Sequence, residues 1–91
     1  MISRNYTCLQ MDSFLSRLKE QLRNGSFNII QEAEMTEKKL PFPKIYVLTV
    51  EGNGEIFRLS VVMDRNGITV VVPKVEKNKA LITQILDSLQ V

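Results

Sequence analysis

Two short turn sequences most constrain how this chain can fold. Residues 52–54 and 64–67 each contain an Asn-Gly pair, which favours the two-residue turns of β-hairpins. The segments on either side, residues 45–51, 55–63 and 68–75, are rich in β-branched and aromatic side chains, the composition typical of strands. The sequence therefore predicts a meander of three antiparallel strands.

The first turn also predicts how these strands pair. With Asn53 and Gly54 at its centre, the opposed residues on one face of the hairpin are all apolar. These pairs are Val50 with Phe57, Leu48 with Leu59, and Tyr46 with Val61, and Ile68, Val70 and Val72 extend the face onto the third strand. We expect this face to pack on the core.

Two amphipathic helices are predicted outside the meander. Residues 11–23 carry apolar side chains at helical spacing, and Asn24-Gly25 predicts the end of that helix because glycine readily adopts the left-handed cap conformation. A second helix is predicted from Glu76 onward. The two apolar stripes are Met11, Phe14, Leu15, Leu18 and Leu22, and then Leu81, Ile82, Ile85, Leu86 and Leu89.

Residues 27–36 are the ambiguous part of the chain. Odd-numbered apolar or uncharged residues alternate with mostly polar ones, which favours a half-buried strand, but the segment also contains Glu, Gln, Ala and Met, which favour a helix. With a strand here, the sequence predicts one α+β domain over residues 1–91 with the order α-β-β-β-β-α. Its four-stranded antiparallel sheet would carry both helices on one face. Residues 1–10 are a candidate flexible N-terminal segment.

The same register predicts a second apolar face on the sheet. Antiparallel sheets normally show polar residues on the face away from the core, and contiguous exposed apolar patches tend to mark interaction sites. The candidate interface residues are Ile30, Ile45, Val47, Ile56, Arg58, Val62 and Val71, with Val75 also expected on this face. We therefore expect a non-enzymatic interaction module that forms a dimer or binds another protein. The alternatives are that one helix covers each face, or that β-propensity alone explains the valines.

Burial energies permit such a partner without requiring one. Full burial of seven aliphatic side chains on this face would contribute on the order of 10–20 kcal/mol. Association costs about 4–15 kcal/mol before any net affinity appears.

Enzymatic chemistry has little support in the composition. The chain has no histidine and one cysteine, so neither a structural zinc site within one chain nor a Ser–His or Cys–His nucleophile can be assembled. We expect no cofactor and no metal. The acid pairs Glu51 with Glu55 and Glu32 with Glu34 are expected to be solvated, Asp64 to form a turn, and Cys8 to be packed against the core.

Loosely grouped basic residues leave a second function open, namely binding of RNA or single-stranded DNA. The net charge of +2 is weak support, and lysines in loops usually provide solubility. The candidate contacts are Lys38, Lys39, Phe42, Lys44, Arg58 and Lys74.

The expected location is the cytoplasm. No apolar run approaches the roughly 18–20 residues of a membrane span, the first ten residues do not resemble a signal peptide, and a lone cysteine is unlike a secreted disulfide-rich protein.

Overall fold

The computed structural model describes residues 1–8, 10–35 and 43–89. The strands form one antiparallel sheet in the order β1-β5-β4-β3-β2, and the fold is α+β. The elements are β1 (Ile2–Tyr6), α1 (Met11–Asn24), β2 (Asn28–Glu34), β3 (Lys44–Gly52), β4 (Glu55–Asp64), β5 (Gly67–Val72) and α2 (Lys79–Ser88).

Both helices pack on the same face of the sheet. The Tyr6 side chain of β1 shows this, because its ring lies 4.8 Å from the ring of Phe14 on α1 and its hydroxyl donates to the Leu86 carbonyl of α2 at 2.6 Å. The buried residues of α1 are Met11, Phe14, Leu15, Leu18 and Leu22, which is the apolar stripe predicted from their spacing.

The predicted register of the meander is confirmed. The pairs Tyr46 with Val61, Leu48 with Leu59 and Val50 with Phe57 are all present in the ladder between β3 and β4. In the turn, Asn53 and Gly54 have φ values of 53° and 77°, the left-handed pair that a type I′ hairpin requires. This local turn chemistry explains why the sequence predicted this part of the fold correctly.

The second hairpin turn is stabilised by Asp64, as expected of a turn-forming residue. Its Oδ1 accepts hydrogen bonds from the backbone N–H groups of Asn66 (2.8 Å) and Gly67 (3.2 Å). Gly67 has a φ of 143°, and a Cβ at this position would collide with the Tyr6 carbonyl oxygen. Glycine is therefore required where the end of β1 passes the turn.

A fifth strand corrects the prediction of a four-stranded sheet. Ile2–Tyr6, within the segment considered as a flexible terminus, pairs antiparallel with β5 and forms one edge of the sheet. Ile2 and Tyr6 are buried, whereas Ser3 and Asn5 between them are exposed. Two apolar residues in a five-residue edge strand are too weak a pattern to recognise without the neighbouring strand.

β2 is a strand, as favoured, but its predicted alternation is wrong beyond Ile29. The ladder with β3 shifts between Ile29 and Gln31, so an extra residue, Ile30, is inserted as a β-bulge. After the bulge, Gln31 lies opposite Thr49 and Ala33 opposite Val47. A one-residue insertion exchanges the two faces of the remaining strand.

The turn after α1 uses a different residue from the one predicted. The helix ends at Asn24, but Gly25 has an ordinary φ of −84°, and Ser26 has the positive φ of 68°. The N–H of Phe27 donates to the Leu22 carbonyl at 2.9 Å and that of Ser26 to the Arg23 carbonyl at 3.0 Å. This is a Schellman motif with serine in the position that glycine usually occupies.

Candidate interaction surface

The sheet face opposite the helices carries a compact apolar area. The ladder between β3 and β4 places Ile45 beside Val62 and Val47 beside Ser60, and β5 adds Val71 beside Ser60. The bulge brings Ala33 of β2 to the same face, beside Val47. The Met35 N–H donates to the Ile45 carbonyl at 2.8 Å and so continues this pairing. We call this area the open-face patch: Ala33, Met35, Ile45, Val47, Val62 and Val71 around Ser60.

Polar residues border the open-face patch on two sides. Next to β5, the Thr69 hydroxyl donates to Asn5 Oδ1 at 2.7 Å, and Ser3 pairs with Val71. Towards the first hairpin turn, Arg58 and Thr49 form the next opposed pair. An apolar centre inside a polar rim is the usual arrangement of protein–protein interfaces.

Neither of the two helices in the described part of the chain lies on this face, so the alternative of one helix on each face is wrong there. Neighbouring side chains on the sheet still cover part of the patch, and Ile45, Val47, Val62 and Val71 are half-buried. Met35 is 64% exposed at the margin.

The structure places six of the seven candidate interface residues on the open face. Ile45, Val47, Ile56, Arg58, Val62 and Val71 alternate onto it along β3, β4 and β5. Ile30 is the exception because it is the bulge residue without a ladder partner in the register, although it is 51% exposed. Val75 was wrongly expected on this face, since it follows the last strand and packs against the core.

Sequence reasoning missed Ala33 and Met35 as members of the patch. Uninterrupted alternation had placed both residues on the face of Phe27, which is the core face. Their position is visible only in the pairing with β3, in which Glu32 and Glu34 lie opposite Leu48 and Tyr46, whereas Ala33 lies opposite Val47. The bulge thus enlarges the open-face patch on the β2 side.

Two opposite charges lie on the open face of β4, one beyond each end of the apolar area. The Arg58 side chain is exposed and makes no hydrogen bond or ion pair with any residue that the structure describes. Asp64, also exposed, uses Oδ1 to hold the second turn, and its other oxygen has no hydrogen bond to the described residues. Both groups are available to a partner.

The basic residues of the nucleic-acid alternative are not gathered into one track in the described part of the chain. Lys44 lies opposite the buried Met63 and lines a cleft beside the start of α1, on the helix side of the sheet, whereas Arg58 is on the open face. Lys74 is exposed after β5. Lys38, Lys39 and Phe42 lie outside the described residues.

Glu55 has a structural role at the start of α2. Its carboxylate accepts hydrogen bonds from the backbone N–H groups of Glu76 (2.7 Å), Lys77 (3.3 Å) and Asn78 (3.0 Å). These hydrogen bonds, first of all the one from Glu76, lower the pKa of Glu55 below its ordinary value. Because a carboxylate at a helix N-terminus also interacts favourably with the helix dipole, Glu55 stabilises the start of α2.

The other candidate chemical groups also have structural partners. Glu32 pairs with Lys19 of α1 at 2.7 Å. Cys8 is half-buried against the core, its sulfur accepting the Gln10 N–H at 3.4 Å, as expected of a packed cysteine. The described residues contain no cluster of three or more side chains suited to hold a metal ion. None of the helices found in these residues has the length and apolar character needed to cross a membrane.

Comparisons of this chain with protein-family models, curated proteins and solved structures yield no match.

Proposed function

We propose that this chain is a non-enzymatic protein-interaction module that associates through the open sheet face, in the first instance with a second copy of itself. The observation that carries the proposal is the open-face patch, an apolar area with a polar rim on a face that neither helix covers. Isolated apolar residues at the surface need no explanation, but six neighbouring ones on a single sheet face, four half-buried and two exposed, do.

The strength of the association depends on how much of the patch is still exposed in the monomer. A fully exposed aliphatic side chain contributes about 1.5–3 kcal/mol on burial. Four patch residues are already half-buried, so each contributes less, and Met35 at 64% exposure has the most to gain. We therefore expect a moderate affinity.

Sedimentation equilibrium of purified wild type, Val62→Lys and Leu81→Lys tests the proposal. Val62 lies inside the patch, and a lysine there places a charge in the apolar area, so we expect its dimer to dissociate at concentrations at which the wild type is dimeric. Leu81 is an exposed leucine (45%) on α2, on the helix side of the sheet, and its lysine variant is the matched control that should remain dimeric.

A wild type that stays monomeric at high concentration, or a Val62→Lys variant that associates as strongly as the wild type, would contradict self-association. Nucleic-acid binding has less support because Lys44 and Arg58 lie on opposite faces. The wild type could instead be monomeric and bind a mixed oligonucleotide pool with an affinity that falls as the salt concentration rises. That result would support nucleic-acid binding in place of self-association.

A further inference from the structure

On the open face of β4, an arginine and an aspartate lie at equal distances on either side of Val61. The strand is therefore complementary in charge to a second copy that runs in the opposite direction. Along β4 this face presents Asp64, Val62, Ser60 and Arg58 in turn. Asp64 and Arg58 each lie three residues from Val61, or about 10 Å along the strand in either direction. A second β4 laid antiparallel over the first, centred on the same residue, places each arginine over the aspartate of the other copy.

We infer that two copies dock face to face about a two-fold axis that crosses the strands at the level of Val61, with Arg58 of each copy paired to Asp64 of the other. This inference rests on the proposed function and adds to it the orientation of the partner and the two residues that select it. A two-fold interface uses the same surface on both copies, so one complementary pair occurs twice.

The apolar side chains fit the same arrangement. The two central rows of the open face read Met35, Ile45, Val62 and Thr69, and then Ala33, Val47, Ser60 and Val71. The two-fold rotation about the level of Val61 places the first row of one copy over the second row of the other copy. Met35 then meets Ala33 and Val62 meets Ser60, so a larger side chain faces a smaller one, as interdigitation between packed sheets requires.

The charges favour this orientation over others. In the isolated chain the Arg58 guanidinium has no partner among the described residues, and Asp64 keeps one carboxylate oxygen without a hydrogen bond to them. A docking rotated by half a turn about the sheet normal places Arg58 over Arg58 and Asp64 over Asp64, which is repulsive. Charge pairs at an interface rim act mainly by excluding wrong arrangements in this way.

A charge-exchange experiment tests the inference by sedimentation and by mass spectrometry of isotope-labelled mixtures. On the open face of β4, Arg58→Asp carries two negative charges, at positions 58 and 64, and Asp64→Arg carries two positive charges at the same positions. Each variant alone should dimerise about tenfold more weakly than the wild type, because like charges meet at both ends. An equimolar mixture should form heterodimers with a dissociation constant within about threefold of that of the wild type, because each aspartate then faces an arginine.

Asp64→Arg also removes the acceptor that holds the second turn, so a milder pair provides an independent test. Asp64→Asn keeps Oδ1, and Arg58→Gln keeps much of the length of the side chain. Each should weaken the dimer a few-fold, and the double variant should be no weaker than the weaker single variant, the mark of direct coupling.

The two proposals fail in different ways. The wild type could be dimeric while the charge-exchange variants do not recover affinity on mixing and the milder variants act additively. This result would overturn the proposed orientation but leave association through the open face intact. A monomeric wild type would overturn both.

Discussion

At the scale of single residues, the fold depends on a few backbone positions where side-chain size or handedness is restricted. A Cβ on Gly52 would collide with the ring of Phe27, so the first hairpin and the turn after α1 can approach closely only because residue 52 is glycine. Ser26 is the opposite case, since a residue with a side chain occupies a left-handed conformation with a φ of 68°. An L-residue other than glycine is strained there.

We expect Ser26→Gly to raise the free energy of unfolding by about 0.5–1 kcal/mol, since relief of the left-handed strain exceeds the extra entropy of glycine in the unfolded chain. Urea denaturation of both proteins measures the change. Ser16→Gly, the same substitution at an exposed position within α1, is the control and should lower stability by about 0.5 kcal/mol. Equal effects at the two sites would show that Ser26 is not strained.

At the scale of elements, the first hairpin and α2 form one hydrogen-bonded unit. The buried Asn78 side chain donates to the Gly52 carbonyl at 2.9 Å and accepts from the Asn53 amide at 2.7 Å, next to the Glu55 carboxylate that caps the helix. α2 lacks an acidic residue in its own first turn. Glu55 of β4 therefore supplies the negative charge that a helix N-terminus favours.

Glu55 predicts a specific dependence of stability on acid. Because its pKa is lower in the folded than in the unfolded chain, its contribution is present above the ordinary pKa of 4.5 and is lost as the pH falls through the lower folded-state value. Glu55→Gln should be less stable than the wild type at neutral pH, and the difference should shrink at acidic pH. Urea midpoints measured across this range provide the test, with Glu51→Gln as the control at an exposed acid across the same turn. A difference independent of pH would contradict this role.

At the scale of the whole molecule, the N-terminal strand is connected to the C-terminal helix. Tyr6 of β1 reaches the Leu86 carbonyl, and Arg4 pairs with Asp87 at 2.7 Å. Burial raises the pKa of Tyr6 to about 12. Contacts between residues eighty or more positions apart thus hold the edge strand β1 against α2.

Tyr6→Phe should lower the free energy of unfolding by about 0.5–1.5 kcal/mol at neutral pH, because the buried Leu86 carbonyl loses the Tyr6 hydroxyl and keeps only the longer hydrogen bond from the Leu89 N–H at 3.3 Å. The folded-state pKa of Tyr6 is raised above its ordinary 10.0, so its contribution is complete below pH 10 and is lost as the pH rises through about 12. Denaturant midpoints of wild type and Tyr6→Phe should therefore converge at alkaline pH. In a Tyr46→Phe background, phenolate absorbance reports Tyr6 alone, and titration near 10 would contradict its burial.

Local sequence alone determined the meander, its register, and the helix that follows residue 10. Asn53-Gly54 favours a type I′ turn, and period-2 and period-3.6 patterns then decide which side chains are buried, because both signals act between residues close in the chain. Most of the open-face patch followed from that register. This is why the sequence assigns Ile45, Val47, Val62 and Val71 to one face of the sheet, in agreement with the strand pairing.

Only the tertiary structure decided the features that depend on distant partners. β1 is stabilised by β5, α2 and α1, and its own sequence shows little alternation of apolar and polar residues. The bulge at Ile30 is visible only in the pairing of β2 with β3. The capping of α2 by Glu55 joins residues more than twenty positions apart. In each case the deciding free energy comes from a contact between separate elements, and such a contact leaves no periodic trace in the sequence.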